Sequence, residues 1–364
     1  MRVIALIVRA GAVVVVAGFL FSLVVDGGDE PVVTAQSEPA PVETTPPPKP
    51  TAAATEPKAP PGVVTIAATG DIDMGSAPNG GRSLFSDVQA DLAGDVVLGN
   101  LEGTLSSDGT PPAYAARLLD AGFTVLNLAN DHTYDFGSSG LQQTIATLDT
   151  AGLLHTGRPG EVTIQRVGQI RVALVGFSTY PWTASVTDVA RAKRLVRQAS
   201  RRADVVIVSM HAGAEGAGRQ HVRPGTERYR GENRGDVVRF AHGVVDAGAD
   251  LVVGHGPRVL RGMEWYKGRL IAYSLGSLAA YEAGSLDGPL ATSAILRVIL
   301  RGDGTFETGR LVPTKLVGQG VPALDRTEAA HGVVRELSRD DFGARGVNVT
   351  PDGVVTRQSP LSPS

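Results

Sequence analysis

Residues 63–342 are predicted to form an α/β domain of mixed sheets, and three observations carry the prediction. Short β-branched runs (VTIAATG, DVVLGNLE, TVLNLAN, VALVGFS, VVIVSMH, LVVGHG and LIAYSLGS) alternate with helical patterns. The pair Ala-Gly recurs as a helix stop at 121–122, 151–152 and 247–248, and a strand-like run follows the first and third almost at once. Two late stretches read as hairpins, Glu264–Ser274 around Lys267-Gly268 and Ala294–Leu316 around Gly302-Asp303-Gly304.

The first element in the chain is not part of that domain. Val3 to Val25 is almost wholly apolar, with Arg2 and Arg9 at its start and Asp26, Asp29 and Glu30 beyond its end. Basic residues stay on the cytoplasmic side, so residues 1–25 read as an N-terminal anchor that leaves the rest of the chain outside the cell. The uncharged stretch 10–25 is long enough to span once Arg9 snorkels to the interface. A cleaved signal peptide, giving a secreted protein, is the alternative; the nearest small-x-small site, Val33-Thr34-Ala35, lies rather far downstream.

Residues 26–62 read as a linker. Pro31 to Pro61 holds ten of the 23 prolines, interleaved with Thr, Ala, Glu and Lys, and has too few large apolar groups to offset the entropy of ordering. An extended spacer is expected, reaching at most ~3.1 Å per residue. Within the domain, Leu141, Ile145 and Leu148 at i, i+4, i+7 predict an amphipathic helix after Ser138-Ser139, and Val237, Phe240, Ala241 and Val244 predict another. The tail, 343–364, is rich in Pro, Ser and Gly and is expected to be loose.

Composition removes several function classes. Without cysteine, zinc–thiolate sites, iron–sulfur clusters and cysteine nucleophiles are excluded. A net charge of −3 argues against a nucleic-acid partner, and 5% aromatics argue against a sugar-stacking wall module.

The chemistry collects where apolar strands meet loops, which is where open α/β sheets bind ligands. Successive strand ends carry Asp71 and Asp73, then Asn100 and Glu102, then Asn130-Asp131-His132 with Asp135 one turn on, then His211, then His255. Oxygen and imidazole donors without thiolate suit Mn, Zn, Fe or Mg, and two adjacent ions need about this many donors. Taken singly, Asp71 reads equally as a helix cap, Asn130-Asp131 as turn chemistry and His211 as a core imidazole. His155, His221, His242 and His331 carry no such pattern.

The blocks GDIDMG, GNLEGTL, LNLANDHTYDFGSSGLQQT, MHAGAEG, ENRGD and AGADLVVGHGPRVLRGMEWYKGRLIAYSLGS, in that order over most of Val63–Ser277, resemble the bacterial poly-γ-glutamate capsule-synthesis family, the CapA type. That family is similar to the calcineurin-like metallophosphatases, so the resemblance implies a four-layer α/β/β/α sandwich with one or two divalent metal ions at the strand ends. It places Asp71, Glu102, His132, His211 and His255 along the metal site and matches Asn100 and Glu215 to motif positions. By analogy with the phosphatases, His132 is the acid that protonates a leaving oxygen, held by Asp131 or Asp135, and Asp71 is a ligand. Three positions depart from the family pattern. Asp131 stands for an Asn, Arg258 for a histidine, and Leu275-Gly276-Ser277-Leu278 for Leu-Gly-Asn-Phe. A guanidinium cannot ligate metal but can clamp a phosphate or carboxylate, so Arg258 counts among the catalytic candidates and Asp73 and Asp131 among compensating ligands.

The resulting expectation is an exported, membrane-anchored protein of cell-envelope polymer synthesis with a metal-dependent phosphoesterase-like site. Its partners would be an anionic polymer or phosphoester, the membrane and other polymer-synthesis proteins. The alternative is a non-catalytic assembly or export component that binds an acidic polymer through a degenerate metal site.

Overall fold

A computed structural model of the chain describes residues 61–281 and 286–358. The anchor expected over 1–25, nearly all of the linker and the final residues of the tail lie outside them. Among the described residues no helix is long and apolar enough to cross a membrane.

In chain order the domain opens with β1 (Val63–Asp73), β2 (Val96–Leu101), α1 (Tyr114–Ala121), β3 (Val125–Asn127), α2 (Gly137–Ala151) and β4 (Leu154–Thr156). It continues with β5 (Thr163–Val167), β6 (Ile170–Ser178), α3 (Val189–Ser200), β7 (Val205–His211), β8 (Arg228–Tyr229), β9 (Glu232–Asn233) and α4 (Val237–Val245). Then come β10 (Leu251–His255), β11 (Met263–Tyr266), β12 (Arg269–Ala272), β13 (Ser277–Ala280), β14 (Thr292–Arg301) and β15 (Phe306–Val317). The last elements are β16 (Val321–Leu324), α5 (Ala329–Phe342), β17 (Val347–Val349) and β18 (Val355–Arg357).

Two sheets hold most of these strands. One runs β16-β15-β14-β1-β2-β3-β4, with β13 beside the end of β1; the other runs β11-β12-β10-β7-β6-β5. Alternation along each strand explains how they stack. Val64, Ile66 and Ala68 of β1 meet Val172 and Leu174 of β6 and Val205 and Ile207 of β7 in a dry layer between the sheets. The residues in between point the other way. Ala67 and Val97 pack under Leu118 of α1 and Leu148 of α2, and Val206 and Val208 pack under Val196 of α3 and Phe240 of α4. Helix, sheet, sheet, helix is the four-layer sandwich that the resemblance implied.

Local signals explain the element ends. Gly122 and Gly152 close α1 and α2 in the left-handed conformation, whereas α4 stops at Val245 and Gly248 falls in the turn just beyond it. Asp188 and Asp236 cap α3 and α4 by accepting from the backbone N–H of Arg191 and Arg239. Both expected hairpins form, β11 with β12 and β14 with β15.

The tail is the main correction. Residues 347–357 are not loose: β17 and β18 pair around a Pro351-Asp352-Gly353 turn. Val347, Val349 and Val355 join the layer between the sheets beside Ala330 and Val334 of α5. Val-Asn-Val and Val-Val-Thr carry enough apolar surface to fold once a partner covers it, and the Pro and Ser content of the neighbouring residues hid that.

Asp250, just before β10, is buried beneath Gly304 and accepts from the Val206 N–H. Burial pushes its carboxyl up to about 6, against the opposing pull of Arg269. A carboxyl that holds its proton more tightly when folded favours folding at low pH and loses that contribution as pH rises through its folded-state value. The stability of the wild type relative to Asp250→Asn is therefore expected to fall between about pH 4 and pH 6. Denaturant midpoints of the two proteins across that range check this, and parallel curves contradict it.

Candidate metal centre

The parallel strands bring their carboxyl ends to one place. Asp71 lies opposite Asn100 where β1 meets β2, and His211 lies opposite His255 where β7 meets β10. The sheets are tied across the gap by the Gly256 N–H, which donates to Asp71 Oδ2 at 3.3 Å. Gly70 permits the approach of β1 to the segment before β13, since a Cβ there would sit 1.9 Å from the Gly276 carbonyl oxygen. With that side chain absent, the Asp71 N–H donates to the same carbonyl at 3.1 Å.

Asp71, Glu102 and His211 each offer a donor atom within 4.8 Å of the others. His211 is 1% exposed, and its Nδ1 lies 3.3 Å from Glu102 Oε1. His255 is fully buried beside them, its Nδ1 3.8 Å from Asp71 Oδ1, and among the described residues neither of its ring nitrogens has a hydrogen-bond partner. Burial, helped by the nearby His211, pushes His255 down to about 3, so its imidazole is neutral and its lone pair free. Burial also raises the carboxyls of Asp71 and, more strongly, Glu102, the latter reinforced by the charges of Asp71 and Asp131. Buried oxygen and imidazole donors crowded against their own repulsion, with an orphaned imidazole alongside, fit a divalent cation.

Three expected ligands stand differently. Asn100 Oδ1 accepts from Asn127 and Asn130, so the amide presents its NH₂ to Asp71 at 2.8 Å and to Glu102 at 3.4 Å. In this arrangement it orients the acids and supplies no ligand oxygen. Asp131 Oδ1 lies 3.1 Å from His211 Nε2, on the far side of the ring from Glu102. Burial opposes its ionisation, but the charges of His211, His132 and Arg234 dominate and hold its carboxyl well below the usual range. Asp73 stays outside the donor group. The pairing of β1 with β13 slips between Asp71 and Ile72, and past that bulge Asp73 accepts from the Gly75 N–H instead.

His132, Asp135 and Arg258 form the rim. His132 is half exposed, and its Nδ1 is 2.9 Å from Asp135 Oδ2. Burial would lower the imidazole, but the Asp131 charge and the Asp135 hydrogen bond outweigh it and raise the pKa. Arg258 holds a left-handed backbone at φ 61°, which a side-chain-bearing residue seldom adopts. Among the described residues its guanidinium makes no hydrogen bond, though its charge reaches Asp73, Glu102 and Glu215.

The principal residue missed in the sequence is Arg234. It is 1% exposed and reaches the floor of the site, with Nη2 2.9 Å from Glu215 Oε1 and 3.3 Å from His211 Nε2. Its Nη1 donates to the Tyr180 hydroxyl at 2.6 Å. The aromatics are few, yet Tyr134, Trp182 and Tyr180 stack in series beside His132, and Trp182 Nε1 donates to the Asn130 carbonyl.

Comparisons with known proteins agree with the motif blocks. The family model described as "Bacterial capsule synthesis protein PGA_cap" matches residues 65–282. The "PGA biosynthesis protein CapA" of Bacillus subtilis is 27% identical over 333 residues, covering 81% of this chain and 82% of that protein. The "Capsule biosynthesis protein CapA" of Bacillus anthracis is 31% identical over 247 residues, which is 61% of this chain and spans only 54% of that relative's length. Among solved structures, a Mycoplasma pneumoniae phosphatase is similar at TM-score 0.47 and 12% identity, over 74% of this chain and 97% of that one. A 5'-nucleotidase precursor from Thermus thermophilus is similar at TM-score 0.39 and 15% identity, over 78% and 59%.

Proposed function

The chain belongs to the bacterial capsule synthesis protein family, and from that membership we propose that it serves the synthesis of a cell-envelope polymer of the poly-γ-glutamate kind, through a metal-dependent phosphoesterase-like site. The observation that carries the site reading is the buried Asp71–Glu102–His211 donor group with the unpartnered His255 beside it. The apolar segment Val3–Val25 and the proline-rich run after it support a domain held outside the cell membrane on a stalk, near other polymer-synthesis proteins.

In this reading Asp71, Glu102, His211 and His255 hold the ion, which when bound supplies Lewis acidity toward a phosphoryl oxygen and acidifies water. Asp131 places a carboxylate beside the Nε2 edge of the His211 ring. The acidic neighbours of His132 favour its protonated form, which gives that proton to the leaving oxygen from Nε2, the nitrogen Asp135 leaves free. The unpaired guanidinium of Arg258 grips the substrate's anionic oxygens.

Two arginines at an acidic site favour a second reading, in which the protein retains an acidic polymer without cleaving it. Elemental analysis of the purified protein, paired with phosphomonoester and phosphodiester assays across added Mn²⁺, Mg²⁺ and Zn²⁺, decides between them. Turnover that Asp71→Ala removes is expected. Bound metal without turnover, together with polymer retention lost in Arg258→Ala, would establish the second reading instead.

A further inference from the structure

We infer that this centre takes one divalent cation, the guanidinium of Arg234 standing where a second would sit. The inference rests on the metal reading of the site and divides it at the His211 ring. The two nitrogens of an imidazole point apart, and here they face different charges. Nδ1 lies 3.3 Å from Glu102 Oε1 and 3.1 Å from the Asn100 amide nitrogen, which also donates to Asp71. Nε2 looks toward Asp131 at 3.1 Å and Arg234 at 3.3 Å.

Asp131 Oδ1 comes within 3.1 Å of Nε2 but takes no hydrogen bond among the described residues, and the group that aims a donor at this nitrogen is Arg234.

The Nε2 side has its positive charge already. Three carboxylates surround Arg234: Glu215 at 2.9 Å, Glu232 at 3.7 Å and Asp131 at 4.0 Å. The guanidinium is fixed by the Gly213 carbonyl on Nε and the Tyr180 hydroxyl on Nη1. A second ion on this side would need Asp131, Glu215 and His211 Nε2, and these are the groups Arg234 contacts. A guanidinium neither ligates nor gives up its proton in a protein, so it cannot make way by titrating. Two like charges at contact distance in a buried site would repel strongly.

The test is a manganese titration of the metal-stripped full chain, followed by elemental stoichiometry and electron paramagnetic resonance, neither of which requires turnover. One ion per chain with the spectrum of an isolated Mn²⁺ is expected. Two ions per chain with an exchange-coupled spectrum would overturn the single-ion assignment and leave the metal reading intact. No bound ion would overturn the metal reading itself. Arg234→Gln removes the charge and is expected to raise the count to two, whereas Arg234→Lys keeps the charge and the count of one. A folded Arg234→Gln that still binds a single ion would show that Arg234 does not fill the second place. Should that variant fail to fold, the wild-type count decides.

Discussion

Arg261→Ala is expected to cost the domain about 3–5 kcal/mol, the size associated with breaking a buried ion pair from one side. Arg261 is fully buried in the loop between β10 and β11 and grips Glu227 through both terminal nitrogens, at 2.8 and 2.7 Å. It also donates to the carbonyls of Arg219 and Ala214. Glu227 in turn accepts from the Ala214 N–H, and its backbone exchanges hydrogen bonds with Arg234 and Gly235. Removing the guanidinium strands a carboxylate and frees the segment that carries Glu215 and Arg234. The urea midpoint should drop with little change in slope. A double variant, Arg261→Met with Glu227→Leu, should recover part of the loss, because replacing both partners leaves no unpaired charge. Equal losses in the two proteins would contradict this account.

His132→Gln is expected to lower turnover of a phosphoester with a poor leaving group by roughly 10²–10⁴-fold, the usual range for a general acid. Metal content should not change, because His132 is half exposed and lies outside the donor group. The loss should shrink for a phenolate leaving group acidic enough to depart without a proton. A loss independent of leaving group would assign His132 to binding rather than proton transfer.

The sequence carried the architecture further than it carried the site. Short β-branched runs and Ala-Gly stops are local signals, and local signals placed the strands and helices that build the layers. The strand-end pattern likewise located Asp71, Glu102, His211 and His255, because a polar residue closing an apolar run is visible without a structure. Which way each side chain faces is decided by partners distant in the chain. Asn100 could be placed at the strand end, but its amide is turned by Asn127 and Asn130, residues 27 and 30 positions away. Asn127 had a signal of its own, an asparagine inside the apolar run Val125-Leu126-Asn127-Leu128. Arg234 had none beyond its motif block. It sits in the polar stretch Glu232-Asn233-Arg234-Gly235-Asp236, which reads as a solvated turn, and its burial comes from Tyr180, His211 and Glu215. The C-terminal hairpin was missed because the Pro, Ser and Gly content of 343–364 reads as a loose tail, although Pro351-Asp352-Gly353 is itself a turn signal.

The strand order has a consequence for how the chain is made. β1, which carries Asp71, pairs with β2 on one side and with β14 on the other, Val63 lying opposite Arg301. A ribosome delivers the first pairing early and the second only after the whole second sheet has emerged. Until then the nascent chain shows an unpaired edge along Val63–Ala68, the half of β1 away from the candidate metal centre, a template for the wrong partner. Contacts that span so much sequence also slow the search for the native state. For this protein, the yield of folded molecules during biosynthesis turns on how well that edge is shielded before β14 arrives.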